Sequence, residues 1–117
     1  MFKETLEGVF RRVDGTLAVS LLGLDGIAVE TVGGEGVSLE TWSAELGAFV
    51  KSLQLSINEL DSGDLRQFTL ATDRHLALFS AVTSDYFILM ILSPDGNFGR
   101  ARFELRKARF DLQDELS

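Results

Sequence analysis

The run YFILMIL, residues 86–92, constrains this chain more than any other stretch. It has strand length, is rich in aromatic and β-branched residues, and is nearly free of polar side chains. Successive side chains of a strand point to opposite sides of the sheet, so such a run needs apolar cover on both faces. Residues 17–24, LAVSLLGL, make the same demand. Two central strands of this kind call for helices above and below one sheet, a three-layer α/β/α sandwich.

The remaining segments supply the layers. Residues 2–13 carry Phe2, Leu6, Val9, Phe10 and Val13 on one helical face, and Asp14-Gly15 ends that helix. Asp25-Gly26 is a hairpin signal leading into an alternating strand at 27–32. Residues 65–72 form a strand interrupted by Arg66, Gln67 and Thr69, a polarity that suits a sheet edge. Asp73-Arg74 turns the chain into a strand at 76–83, and Ser84-Asp85 turns it again into 86–92. After Ser93-Pro94-Asp95-Gly96, a last helix starts at Asn97 or Gly99 with the spine Phe98, Ala101, Leu105, Ala108, Leu112 and Leu116. The expected order is α-β-β-α-β-β-β-α around a five-stranded, mostly antiparallel sheet. At 117 residues this is one α/β domain.

The longest helical pattern spans residues 39–60. Leu39, Trp42, Leu46, Phe49, Val50, Leu53, Ile57 and Leu60 recur at helical spacing, in a stripe roughly 100° wide. Ser38 precedes it as a candidate N-cap, and Asp61-Ser62-Gly63 stops it. At ~1.5 Å per residue the helix is about 33 Å long. Its far side is a second, narrower surface of Ala44, Ala48 and Leu55, flanked by Gly47 and Lys51. Small residues there let another helix approach closely, so contact with a second chain is expected.

Composition excludes several chemistries. The absence of cysteine removes disulfides, thiolate metal sites and cysteine nucleophiles. The first residues are charged, and no uncharged apolar segment approaches the ~20 residues of a membrane helix. A cytoplasmic protein with no signal peptide and no membrane span is expected. The net charge of −7 argues against broad nucleic-acid binding. That charge is uneven. Residues 1–99 hold 14 acidic and 6 basic side chains, whereas residues 100–117 hold 4 and 5. Arg102, Arg106 and Arg109 share one side of the last helix. They read either as a solvated face linked to the acidic body or as a partner patch.

No catalytic, cofactor-binding or metal-ligating set emerges. His75 is the single histidine, beside a turn, and reads as a solvated residue. Gly33-Gly34-Glu35-Gly36 lacks the Lys-Ser/Thr of a P-loop and the GxGxxG spacing, so it reads as a connection, and the chain is not expected to bind nucleotide. Asp61 and Asp64 read as turn residues. Trp42 lies on the main stripe and reads as core.

The element order resembles the Roadblock/dynein light chain family, including its MglB-type members. AVSLLGLDGIAVETVG is similar to that family's first hairpin, SLETWSAELGAFVKSLQ to the start of its long second helix, and GRARFELRKARFDLQDEL to its final helix. The resemblance implies a profilin-like Roadblock fold and a homodimer. Long helices would meet across a two-fold axis through Ala44, Gly47, Ala48, Lys51 and Leu55. The strands carrying Arg66, Phe68 and Leu70 would pair edge to edge into a ten-stranded sheet. It further implies a regulator or scaffold of a small Ras-like GTPase rather than an enzyme, with any effect on hydrolysis exerted without an inserted arginine. The alternative is an adaptor or assembly subunit, light-chain-like, with no GTPase partner.

Overall fold

The run 86–92 does sit at the centre of a sheet. The computed structural model describes residues 2–116 and divides them into eight elements. These are α1 (Phe2–Arg12), β1 (Thr16–Gly23), β2 (Ala28–Gly33), α2 (Leu39–Glu59), β3 (Gln67–Ala71), β4 (Leu76–Ala81), β5 (Tyr86–Leu92) and α3 (Phe98–Leu116). The strands run in the order β2-β1-β5-β4-β3, and each neighbouring pair is antiparallel. The two doubly apolar runs, β1 and β5, lie side by side within the sheet. The polar strand β3 forms one edge.

Pleating divides β5 between two cores. Ile88, Met90 and Leu92 face α1 and α3, joining Leu6, Val9, Val19, Leu21, Ala101, Leu105, Ala108 and Leu112. Phe87, Leu89 and Ile91 face the other way, joining Ala18, Leu22, Phe79, Leu46 and Val50 beneath α2. Helices therefore cover both faces, giving the three layers that the apolar runs demanded. No helix among the described residues is long and apolar enough to cross a membrane.

The helix ends follow local chemistry. The Asn97 side-chain oxygen accepts the Arg100 backbone N–H at 3.0 Å and caps α3. At the end of α2, Asp61 adopts φ 52°, while Asp61 N–H and Ser62 N–H reach back to Asn58 O and Ile57 O. That is a Schellman ending with Asp in place of the usual glycine. At the start of α2 the expected cap is absent: the Ser38 hydroxyl bonds the Thr41 hydroxyl at 2.9 Å and makes no capping bond to the backbone.

Candidate partner surfaces

Burial along α2 departs from its apolar stripe. The buried residues are Ser43, Leu46, Gly47 and Val50, a set turned by roughly 60° from the stripe's centre at 100° per residue. The cause is a close approach by the β1–β2 turn. Gly26, at φ 83°, lies against α2 so tightly that a Cβ there would stand 3.3 Å from Ser43 O. A Cβ on Gly47 would in turn meet Gly26 Cα at 3.8 Å. Gly26 lets turn and helix meet backbone to backbone, with Gly47 in ordinary contact beneath it. Gly47, expected on an outward helix contact, is thus buried against its own chain.

The roll lifts the other flank of the stripe into solvent. Phe49, expected in the core, is 46% exposed, and Leu60 is 74% exposed. Leu39, Trp42, Leu53 and Ile57 are half-buried. Ala44, Ala48, Lys51 and Leu55 are exposed, Leu55 at 69%. His75, expected to be solvated, is half-buried and edge-on to Trp42, with ring centroids 5.3 Å apart.

Phe49 joins α2 to the edge strand. Its ring meets Phe68 of β3 edge-on at 5.5 Å, Phe68 stacks on Phe79 at 4.9 Å, and Phe79 meets Phe87 at 4.3 Å. Side chains alternate along β3, so Arg66 and Leu70 share the α2 side with Phe68. The main chain completes the surface. Arg66 O accepts from Ala81 N–H, and Thr72 N–H donates to His75 O, both toward β4. By the antiparallel alternation, the backbone groups of Gln67, Thr69 and Ala71 point away from the sheet. The structure thus joins α2 to the open strand edge through Phe49 and Phe68, with Leu70 on the same side of β3 and Ala48 and Leu55 exposed on α2.

The loop after α2 is tied down beside this surface. Gln54 Nε2 donates to Gly63 O at 3.2 Å, and Leu65 N–H donates to Gln54 Oε1 at 3.1 Å. Below the C-terminal half of α2 opens a groove of ≈ 970 Å³, with Val50, Gln54 and Leu55 on one wall and Phe79, Val82 and Phe87 on the other. The helix does not close onto the sheet there.

The basic residues of α3 separate into two groups. Arg100 and Lys107 converge on Glu104 at 3.2 and 3.9 Å, and Arg12 of α1 joins them at 3.0 Å. Glu104 is fully buried. It stands three residues after Ala101 and four before Ala108, on the buried spine, so its spacing signals burial although its charge suggests solvent. Arg102, Arg106 and Arg109 make no ion pair among the described residues. Gln113 Nε2 donates to Val82 O at 2.7 Å.

No protein-family model matches the chain, and no curated protein matches it. Solved structures do. MglC from Myxococcus xanthus is 30% identical, with 96% of each chain covered and a TM-score of 0.69. A Roadblock/LC7 domain from Streptomyces avermitilis is 19% identical, covering 97% of this chain and 96% of its own, with a TM-score of 0.88. Myxococcus xanthus MglB is 11% identical, covering 98% and 94%, with a TM-score of 0.89.

Proposed function

The chain belongs to the Roadblock/LC7 family, with its profilin-like fold, and from that premise we propose that it is a non-enzymatic, cytoplasmic homodimeric platform for a small Ras-like GTPase. One observation carries the reading. The exposed face of α2 and the open edge of β3 form one continuous surface that a lone chain leaves half-covered. Exposed apolar residues scattered singly need no explanation. Phe49, Leu55 and Leu70 are exposed together beside outward-pointing backbone groups, and such an edge invites pairing. A two-fold contact satisfies both features, because each copy offers the same helix and the same strand. Ala44 and Ala48 let the two helices approach closely, while β3 of each copy completes the other's ladder.

In this reading the dimer binds the switch region of its GTPase. It holds that region in a hydrolysis-competent or localised state without contributing a reacting group. The test is a pulldown with the small GTPases of the same genome in GDP- and GTP-loaded forms, followed by hydrolysis assays. Nucleotide-dependent binding that is lost with Leu55→Glu supports the platform. An intact dimer that binds no GTPase in either form contradicts it and leaves the adaptor role.

A further inference from the structure

α3 packs on the sheet face opposite α2, and its outer ridge points away from the sheet, although Arg109 and Phe110 at its C-terminal end also line the groove beside α2. Phe103 and Phe110 stand on the ridge, 52% and 59% exposed. Seven residues apart, they lie on one line, about 10.5 Å apart along the helix axis. Large exposed phenyl groups in register are unusual on a chain that buries its core well. Cations flank the ridge on both sides. At 100° per residue, Arg102, Arg106 and Arg109 fall on one flank and Lys107 on the other. The Lys107 ammonium lies 5.5 Å from the Phe103 ring centroid, and the Arg109 guanidinium lies 5.5 Å from that of Phe110. Arg102 and Arg106 make no ion pair among the described residues. The ridge is therefore positive and aromatic on a chain of net charge −7.

We propose that this ridge docks an acidic amphipathic helix from a partner protein. Apolar side chains of such a helix, at its own i, i+3 or i+4, and i+7 positions, would lie between Phe103 and Phe110. Its carboxylates would meet Arg102 and Arg106 on one flank and Lys107 on the other. Charge complementarity selects the occupant, and the narrowness of the basic strip selects its shape. Asp111 and Asp114 are exposed on the same helix. Asp114, four residues after Phe110, closes the C-terminal end of the ridge, and Asp111 stands on the Lys107 flank; a broad anionic bilayer would press against both carboxylates, whereas a single helix crossing between Phe103 and Phe110 clears them. Phe103 and Arg106 lie outside the groove that Phe110 and Arg109 share with Leu55, so changes at these two positions probe the ridge separately from the α2–β3 surface.

The test titrates ¹⁵N-labelled protein with a pool of synthetic helical peptides that carry Leu and Phe at heptad-like spacing and Glu elsewhere. Lysine-for-glutamate versions and phosphatidylserine vesicles serve as controls. The expected result is amide shifts confined to α3 and its neighbours with the acidic pool only, and binding that weakens as salt rises. Arg106→Glu and Phe103→Ser should each weaken binding about tenfold. Both sites are solvent-facing, so an unchanged amide spectrum elsewhere shows that the fold survives. Dimer mass and GTPase binding should not change, which separates this proposal from the platform reading. Absence of shifts, equal binding of the lysine peptides, indifference to both variants, or binding to vesicles instead would each overturn it.

Discussion

The two faces of the sheet are covered to different standards. On the α1/α3 side, Leu6, Leu21, Ile88, Met90, Ala101 and Leu112 are completely shielded, and a buried carboxylate draws in cations from both helices. On the α2 side the helix gives Leu46 and Val50 to the core, turns Phe49 and Leu55 outward, and leaves a groove beneath its C-terminal half. The first layer is finished within one chain. The second shields its sheet face equally well at Ala18, Leu89 and Ile91, but its helix leaves large apolar side chains in solvent. In the proposed dimer, that asymmetry would separate a face built for stability from a face built for a partner.

Matched truncations should expose the contrast most strongly. Leu112→Ala opens a cavity in the closed layer and should cost about 4 kcal/mol, while Leu46→Ala, next to the open groove, should cost nearer 2 kcal/mol. Urea unfolding at one protein concentration compares them, and equal losses would mean that both layers are equally closed. Arg12→Ala comes next. It strips a cation from buried Glu104 and should cost about 1–3 kcal/mol, because the carboxylate stays behind. A smaller loss would mean that Arg100 and Lys107 suffice. Phe49→Ser should lie at the bottom of the stability scale, within about 1 kcal/mol when the protein is dilute. The same change should weaken self-association about tenfold. A large loss of stability with unchanged association would make Phe49 a core residue, as its place on the apolar stripe suggests.

The fold was legible because its strongest signals are local. Residues 17–24 and 86–92 demand two-sided cover wherever they occur, and Asp61-Ser62-Gly63 ends α2 by its own backbone geometry. The polar strand expected at 65–72 announced an edge, and β3 forms one. What escaped sequence reading depends on contacts between distant residues. Gly47 and Ser43 do not look like core residues, and only the approach of Gly26 buries them. That approach rolls α2, so Phe49 leaves a stripe to which its spacing assigns it. Glu104 is buried because Arg12, ninety-two residues away, meets it. The outward set Ala44, Ala48, Lys51 and Leu55 lies where periodicity put it, and Gly47 does not. On α3, spacing alone separated Arg102, Arg106 and Arg109 from the rest of the basic island, but the two exposed phenyl groups between the cations emerged only from the structure.

Sedimentation equilibrium of the wild type and of Leu55→Glu at micromolar concentration tests the central claim most directly. A wild-type mass of twice the 12.9 kDa chain, reduced to one chain by a variant that keeps its native circular dichroism, is the expected result. A wild type that sediments as a single chain, or a Leu55→Glu variant that remains dimeric, would contradict it.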